Sequence, residues 1–359
     1  LVDVRARGGW LYQRVLPLGA KDDAPDRGPP PAWLMPLLIR VIPSLRKRVQ
    51  GLVKVYRDDV ASKTVDQWLN DWKPNNTALI DEYRAVDLTL LSDDELAQHL
   101  ETLLAFMANN SRIHALITAA DFLVADFILS NKRLLGWDEA KSFDLLSGLS
   151  FKTTELTQNL GDLTKMAQDR PAVRGLLDNI DQEAVDSLAS VDAEFAEAFE
   201  GYMREFGVRT LRWELNQETL RERPQLVLNL IKNQLSSDYD YESGASEMEK
   251  TRERLLSEAK EALSGRSAED REEFEVTLAK AERAYPARED HEYYLHSAPL
   301  ALLRYAFMEI GGRLVERGTL GHVDDVFFLE LEEVRSAFGE GVDQRDTVTR
   351  RKGELEWVK

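Results

Sequence analysis

One short stretch of the sequence places two arginines and a tryptophan where they could hold an anionic or aromatic ligand. In FGVRTLRWE, Arg209, Arg212 and Trp213 fall within five residues of one another, after a predicted helix end at Phe206 and beside Glu214. Guanidinium groups donate paired hydrogen bonds to oxyanions and stack on planar groups, as an indole also does. The alternative is that these arginines only form ion pairs with some of the 64 acidic residues.

A second stretch, residues 288–317, mixes aromatic and cationic side chains. Its members are Tyr293, Tyr294, Tyr305, Phe307, Arg288, His291, Arg304 and Arg313. Aromatic residues at helical spacing belong more often to a core than to a ligand cage, and both interpretations stay open here. Pro299 predicts a kink or a division of this helix, and kinks often border cavities.

The histidines do not predict a metal site. His291 and His296 are five residues apart, which on a regular α-helix separates the two rings by about 140°. One helix face therefore cannot present both, although either ring alone can form hydrogen bonds or transfer a proton. The chain has no cysteine, so thiolate nucleophiles and thiolate metal ligands are excluded.

No complete set of catalytic residues is recognisable. The sequence has no GxxxxGK[ST], GxGxxG, GxSxG or HExxH motif. The carboxylate pair Asp324-Asp325 is interpreted as a turn and cap, because acidic pairs carry little information in a chain with so many carboxylates.

The charge and apolar pattern limit the classes of partner. With a net charge of −18 over 359 residues, long-range repulsion disfavours nucleic acid and anionic membranes. The most apolar stretch, residues 115–129, contains Asp121 and Asp126 and is too short to span a bilayer. The first residues do not form a signal peptide. We therefore expect a cytoplasmic protein with no membrane or nucleic-acid partner.

The predicted fold is mainly α. Residues 1–20 alternate apolar and polar side chains around Gly8-Gly9, which predicts a small β-hairpin. Residues 21–32 contain three consecutive prolines and form a linker. Helical periodicity then dominates residues 33–359, with a possible subdivision near residues 236–245.

Start and stop signals divide this helical region. Pro74-Asn75-Asn76 predicts a helix break, and Ser92 with Glu95 predicts a capping box that opens a helical tract reaching Leu135. Pro171 and Gly175 predict a loop. Further helices are predicted over residues 191–206 and 224–235, followed by a polar loop over residues 236–244.

The last third of the chain is predicted as a helical pair followed by a short extended run. Residues 245–285 fit two antiparallel helices joined at Ser264-Gly265-Arg266, and their many charges are interpreted as a solvated face. Residues 326–329 predict a short extended segment before the final helices.

Three segments, taken in order, resemble the central domain of the phosphoenolpyruvate-synthase-like dikinases, a family that includes the rifampin phosphotransferases. They are GLSFKTTE, FGVRTLRWE, and the tract from REDHEYYLHSAP through GGRLVERG to VDDVFFLELEEVRSAF, with RRKGELEW after it. The resemblance implies a helical substrate-binding domain. It covers nearly all of that domain and no other part of the family's architecture.

The resemblance also implies a division of labour. It assigns ATP and Mg to an ATP-grasp domain and phosphoryl transfer to a swivelling phosphohistidine domain of the same polypeptide, so this segment alone would be inactive and would bind neither cofactor. The family's Thr-Ser-Gly-Gly…Ser-His segment is absent, so none of the five histidines is expected to carry the phosphoryl group. Val208 stands where the family usually has histidine, so proton donation from this loop is not expected.

The expected function is binding of a small-molecule acceptor, such as a hydrophobic natural product or antibiotic. The predicted substrate-binding residues are Lys152, Arg209, Arg212, Trp213, Glu214, Arg288, His291, Tyr294 and Arg304. Two other interpretations stay open: a stand-alone ligand-binding or scaffold protein, and the substrate domain of a condensing, ligase-type relative. Phosphoryl transfer and condensation make the same demands on an acceptor-binding domain.

Overall fold

A computed structural model describes residues 2–7, 10–15, 31–210, 214–237 and 241–358. The chain divides into two compact units, residues 1–63 and 64–359. The described part is mainly helical, as predicted.

The first unit begins with two strands and continues into helices. Strands β1 (Val2–Arg7) and β2 (Trp10–Val15) pair antiparallel, with Val2 opposite Val15. Most of the predicted linker lies outside the described residues. A 3-10 turn (Ala32–Leu34) then leads into α1 (Met35–Val41) and α2 (Pro43–Arg57).

The predicted helix break at Pro74 is wrong. Helix α3 (Val60–Gln67) passes through a π-helical turn (Trp68–Trp72) into α4 (Lys73–Arg84) without leaving helical geometry. Pro74 lies in the first turn of α4. The missing N–H of Pro74 is tolerated here because the π turn just before it already interrupts the regular i→i−4 hydrogen bonds.

The capping box at Ser92 is confirmed. The Ser92 N–H donates to Glu95 Oε2 at 2.8 Å, and the Glu95 N–H donates to Ser92 Oγ at 3.4 Å. Helix α5 (Asp93–Ile117) starts there and is followed after two residues by α6 (Ala120–Leu135).

By length and composition alone, α5 and α6 together pass the test for a membrane-crossing helix. Core helices of other proteins pass the same test, and 39% of the most apolar window is buried inside the protein. The buried side chains include Leu100 and Leu103, which pack in a core cluster with Leu303 and Ile310.

The described middle of the chain forms six helices, of which the last five pack around a second core cluster. They are α7 (Glu139–Asp144), α8 (Lys152–Gln168), α9 (Pro171–Leu176), α10 (Gln182–Val191), α11 (Ala193–Phe206) and α12 (Pro224–Leu235). The predicted loop at Pro171 is wrong, because this proline opens α9 instead of ending a helix. Leu163, Phe199 and Ile231 are buried between these helices.

Two long helices follow, joined where the sequence predicts. Helix α13 (Tyr241–Leu263) ends just before Ser264, and α14 (Ala268–Glu292) packs along α6. The predicted loop over residues 236–244 is too long, since α13 already begins at Tyr241. Arg252 of α13 forms an ion pair with Glu282 of α14.

Helix α14 continues through a second π-helical turn (Tyr293–Ser297) into α15 (Ala298–Glu316). Pro299 lies in the first turn of α15, so the irregularity that this proline predicts is the π turn just before it. Such turns insert one residue into a helix and often occur at functional sites.

The predicted extended segment at residues 326–329 is wrong. Val323–Phe328 forms a 3-10 helix, followed by α16 (Leu331–Glu340) and α17 (Arg345–Val358). The His322 N–H donates to Asp325 Oδ2 at 3.0 Å, which caps the 3-10 turn. The turn lies close to α15, because a Cβ on Gly311 would be 2.5 Å from the Val323 carbonyl oxygen.

Candidate functional site

Asp290 joins three helices at one point. The backbone N–H of Lys152, at the start of α8, donates to Asp290 Oδ1 at 2.7 Å, and Lys73 Nζ of α4 donates to Asp290 Oδ2. The Asp290 residue is only 2% exposed. A buried carboxylate is stable only when it is paired and hydrogen-bonded, so these contacts hold α4, α8 and α14 together.

The side chain of Lys152 is held by carboxylates and aromatic rings. Its Nζ pairs with Glu205 of α11, lies 3.2 Å from Glu155 Oε2, and sits 5.0 Å from the ring centroid of Tyr293. Burial by itself would lower the pKa of Lys152, but the hydrogen bond to Glu205 and the nearby negative groups outweigh it, so the pKa is raised. Lys152 is therefore a fixed positive charge.

Glu205 also belongs to a network with Arg84 of α4. Arg84 Nη2 donates to the Tyr293 hydroxyl at 3.1 Å, and that hydroxyl donates to the Glu205 carbonyl oxygen at 2.8 Å. Burial would raise the pKa of Glu205, but the hydrogen bond and charge of Lys152, together with Arg84, lower it. Two cations thus flank one partly exposed carboxylate.

Arg209 is positioned by the loop after α11. Its Nη2 donates to Thr153 Oγ1 at 3.2 Å, and its carbonyl accepts from the Leu220 N–H at 2.8 Å. Gly207 permits the tight turn that leads to it, because a Cβ there would be 2.1 Å from the Met203 carbonyl oxygen. The arginine is thereby directed toward the start of α8.

Several polar atoms around Arg209 are only partly satisfied. Arg209 Nε and the Tyr202 hydroxyl are buried and have no hydrogen-bond partner within the described residues. Burial lowers the pKa of Arg209 and raises the pKa of Tyr202 to about 12. Burial also raises the pKa of Glu292 to about 7, against the opposing effects of Ser297 and Arg209. Arg209 therefore has a buried donor without a partner among the described residues, and its charge acts on the carboxyl of Glu292.

Tyr294 connects the two π turns. Its ring lies edge-on to Trp68 with centroids 6.2 Å apart, and Lys73 Nζ is 5.3 Å from its centroid. Asn76 Nδ2 donates to Asn110 Oδ1 at 2.9 Å and lies 3.4 Å from the Tyr294 carbonyl oxygen. These contacts fix the backbone of the second π turn against α4 and α5.

The prediction that His291 and His296 face different directions is wrong. Both rings contact His114 of α5, with centroid distances of 4.9 Å and 4.5 Å. The π turn between them holds more residues per turn than an α-helix and brings positions i and i+5 to the same side. Burial lowers the pKa of all three rings, and that of His296 to about 4. Within the described ranges, no group of three or more histidine or acidic side chains has the geometry of a metal site.

Three other predicted residues lie away from this region or face elsewhere. Arg288 Nε pairs with Asp121 at 3.0 Å. Arg304 is 2% exposed and donates to both carboxylate oxygens of Glu222, so it is a structural ion pair. Glu214 is exposed. Arg212 and Trp213 lie outside the described residues. Of the predicted set, Lys152, Arg209 and Tyr294 are brought together, while His291 faces α5.

Sequence reasoning missed the partners that make this region a site. They are Lys73, Arg84, Thr153, Tyr202, Glu205, Asp290 and Glu292. Asp290 and Glu292 lie inside REDHEYY, but carboxylates carry little signal in a chain with 64 of them. Only a contact with a cation from another helix distinguishes these carboxylates from solvated ones.

An apolar cavity of about 390 Å³ lies between α15, the 3-10 turn and α16. It is lined by Leu215, Asn216, Phe307, Val326, Phe327, Leu329, Leu331 and Val334. Leu215 belongs to the same loop as Arg209. Six residues of chain span at most about 20 Å, so Arg209 and Leu215 are no further apart than that.

The sequence matches the family model described as the rifampicin phosphotransferase fourth domain over residues 114–289. Relatives include an uncharacterized phosphotransferase, YvkC, of Bacillus subtilis (23% identity over 60% of this chain) and a rifampicin phosphotransferase of Streptomyces (26% over 62%). A chondramide synthase of Chondromyces crocatus is 27% identical over 56% of this chain. These matches support the presence of a domain like those of the phosphoenolpyruvate-synthase-like dikinase family.

The region that matches is a small part of these relatives. The matched region spans 26% and 27% of the two phosphotransferases and 5% of the chondramide synthase. The family match contains Lys152, Glu205 and Arg209 but ends three residues before Glu292. The polar region is thus built partly from the matched residues and partly from residues outside the match: Lys73 and Arg84 before it, and the end of α14 with the following π turn after it.

Proposed function

We propose that this chain is the acceptor-binding domain of a multidomain, ATP-dependent, dikinase-type phosphotransferase, with ATP, Mg and the phosphohistidine carrier on neighbouring domains of the same polypeptide. The observation that carries the proposal is the position of Arg209. Its Nε has no partner among the described residues and lies in a charge-rich region, and Leu215 and Asn216, a few residues further along the chain, line the cavity. A polar end beside an apolar pocket suits an acceptor that has one reactive group and a hydrophobic body.

The two cations of this region have different roles in the proposal. Lys152 is engaged by Glu205 and Glu155 and holds the frame of the site. Arg209 keeps a free donor and can contact a phosphoryl oxygen. Phosphoryl transfer depends mainly on positioning and on stabilising negative charge, which is what a desolvated guanidinium supplies.

The acceptor class follows from the cavity. A volume of about 390 Å³ with mostly apolar walls fits part of a hydrophobic natural product. One relative is named for rifampicin, which supports rifampicin as the first probe.

A thermal-shift experiment on this chain tests the proposal. Rifampicin, a second polyketide and a small keto acid are compared, because a ligand at 100 times its Kd stabilises the folded state by about 2.7 kcal/mol. We expect a shift with a hydrophobic ligand that is reduced in Phe327→Ala, which alters the cavity wall. Arg254→Ala, at an exposed ion pair, is the matched control and keeps the shift. A chain that no ligand stabilises contradicts acceptor binding and favours a scaffold role.

Similarity to a chondramide synthase supports a second candidate, the substrate domain of a condensing enzyme. The two candidates differ in the product made from a bound acceptor. Incubation of the complete protein with ATP and the stabilising ligand distinguishes them by mass spectrometry: transfer adds a phosphoryl group to the ligand, and condensation joins it to an amine.

A further inference from the structure

Arg304 of α15 contacts two walls of the apolar cavity at once. Its Nη1 donates to the Leu215 carbonyl oxygen at 3.2 Å, and its Cζ lies 5.0 Å from the centroid of the Phe327 ring. Leu215 lines the cavity from the loop after α11, and Phe327 lines it from the 3-10 turn. One side chain, itself only 2% exposed, therefore bridges two segments that are distant in sequence.

The same guanidinium is anchored on a carboxylate of the loop. Arg304 Nε donates to Glu222 Oε2 at 2.8 Å, and Nη2 donates to Oε1 at 2.9 Å. Glu222 Oε2 also accepts from the Thr219 N–H at 2.8 Å and from the Thr219 hydroxyl at 2.9 Å. That hydroxyl has only one proton, so the Tyr305 hydroxyl, 3.0 Å away, donates to Thr219. The carboxylate is thus fixed from both sides.

We propose that Arg304 is a positioning residue that holds the Leu215 and Phe327 walls at a fixed separation and so sets the size of the hydrophobic acceptor that the cavity takes. This inference rests on the proposed function, because it treats the cavity as the acceptor pocket. The lining formed by the described residues contains no arginine, so Arg304 acts through its two wall contacts and not on the acceptor itself.

Stability alone does not account for an arginine at this position. Burying an ion pair costs desolvation, and apolar side chains of similar size often stabilise a core equally well. An apolar side chain could not donate to the Leu215 carbonyl. A lysine could not bond both oxygens of Glu222 in a fixed plane while it also contacts the Phe327 ring. The planar guanidinium is the group that makes all three contacts.

Arg313, on the same helix, makes contacts of the same kinds elsewhere. Its Nε donates to Glu309 Oε1 at 2.8 Å, its Nη1 to Asp93 Oδ1 at 3.0 Å and its Nη2 to the Leu88 carbonyl oxygen at 3.0 Å. None of these partners belongs to the cavity lining that the described residues form. Arg313→Lys is therefore a control that is matched in helix, charge and hydrogen bonding.

The experiment measures the size of ligand that each variant accepts. The probes are p-alkylphenols from p-cresol to p-hexylphenol, titrated by calorimetry, because each carries a hydroxyl on an apolar body. In the wild type and in Arg313→Lys, the affinity should rise about fourfold for each added methylene and stop rising at one chain length, where the walls are met. In Arg304→Lys this limit should move to a longer chain or disappear from the series. A purely structural role would weaken every phenol by the same factor and leave the limit in place.

Glu222→Asp is a second variant for the case in which Arg304→Lys does not fold. It keeps both charges but withdraws the carboxylate by one methylene, so the limit should change by at least one methylene. An unchanged limit in Arg304→Lys, or in Glu222→Asp if only that variant folds, would overturn the inference. So would an equal change in Arg313→Lys, or a wild type that binds the phenols without any limit.

Hydrogen exchange tests the same contacts without a ligand. In the wild type the Thr219 N–H is bonded to Glu222, whose carboxylate Arg304 holds. Arg304→Lys should therefore speed amide exchange over residues 215–223 by about tenfold or more. Arg313→Lys should leave exchange in that range unchanged.

These two readouts separate failure of the inference from failure of the proposed function. A chain that rifampicin stabilises, but whose phenol limit and exchange are unchanged in Arg304→Lys, keeps the acceptor-binding role and rejects the role of Arg304. A chain that neither rifampicin nor any phenol stabilises lacks the proposed function, and the exchange pattern alone then decides whether Arg304 holds the two walls.

Discussion

The indole of Trp68 packs edge-on against the ring of Tyr294, with ring centroids 6.2 Å apart, and each residue lies in a π-helical turn. Two helical irregularities, in different parts of the chain, therefore support one another. Tyr294 is two residues from Glu292, so this contact also fixes the backbone beside that carboxyl.

Replacing Trp68 by alanine should destabilise the protein strongly. Trp68 is fully buried, and loss of a buried tryptophan costs about 3–5 kcal/mol. Trp68→Phe should cost less, because it keeps most of the ring contact and removes an indole N–H without a described partner. Urea denaturation measures both. Trp357→Ala, 88% exposed, is the control and should change stability by less than about 0.5 kcal/mol.

Lys152→Met should lower the free energy of unfolding by about 1–2 kcal/mol, less than for a fully buried pair because the Glu205 side chain is 41% exposed. The pKa of Glu205 is lowered. Its contribution to the stability is therefore present above pH 4.5, the ordinary pKa of a glutamate, and is lost as the pH falls further. The pKa of Lys152 is raised, so its share is present below 10.5 and lost at higher pH.

The difference in stability between wild type and Lys152→Met should therefore be flat between about pH 5 and 10 and shrink on the acid side. Urea denaturation from pH 4 to pH 9 checks this. A difference that grows below pH 4.5 would contradict the ion pair. The exposed pair of Arg254 and Glu258 provides a control, since Arg254→Met should have almost no effect.

His296→Gln should reduce the loss of stability on acidification. Burial and the neighbouring histidines lower the pKa of His296 from 6.5 to about 4. The unfolded chain therefore binds more protons between these values, and stability falls as the pH drops from 6.5 toward 4. The ring is partly exposed, which reduces the effect. At pH 4 the variant should therefore lose about 1–2 kcal/mol less of its free energy of unfolding than the wild type does.

Glu292 titrates over part of the same range in the opposite sense, because its pKa is raised from 4.5 to about 7. The informative quantity is therefore the difference between the variant and the wild type at each pH, measured by urea denaturation. His322→Gln, at an exposed histidine, should keep the wild-type profile. Identical profiles for wild type and His296→Gln would refute the effect of the three-histidine contact.

Two adjacent glycines of α15 should respond oppositely to alanine. A Cβ on Gly311 would lie 2.5 Å from the Val323 carbonyl oxygen, so Gly311→Ala should cost about 1–3 kcal/mol by displacing the 3-10 turn. A Cβ on Gly312 has no neighbour within 4 Å, so Gly312→Ala should gain about 0.5–1 kcal/mol from helix propensity. Thermal unfolding compares them, and equal effects would show that the close approach is absent.

Helix boundaries that depend on local chemistry could be predicted from the sequence. The capping box of Ser92 and Glu95 and the joint at Ser264 are set by neighbouring residues, and both are confirmed. The helix break predicted at Pro74 and the loop predicted at Pro171 were wrong, because each proline lies in the first turn of a helix. A proline is tolerated in a first turn.

The site was only partly predictable because its members are distant in sequence. Arg209 was predicted from its cluster with Arg212 and Trp213, and Lys152 lies in a segment that carries the family resemblance. Their partners Thr153 and Glu205 depend on how α8 packs against α11. The sequence gives Arg304 the character of a ligand-binding arginine, but in the structure it donates to both carboxylate oxygens of Glu222. A π turn has no established sequence signature, so the approach of His296 to His114 could not be predicted from a regular helical period.

The π turn at Tyr293–Ser297 makes this helical segment sensitive to insertion and deletion. Removing one residue there would restore α-helical winding and rotate everything after it by about 100° relative to everything before it. Glu292 would keep its place, whereas Leu303 and Ile310 of α15 would turn away from the core cluster that they share with α5. A one-residue gap that is harmless in a surface loop would here exchange an apolar helix face for a polar one, so the length of this segment is as much a part of the fold as its composition.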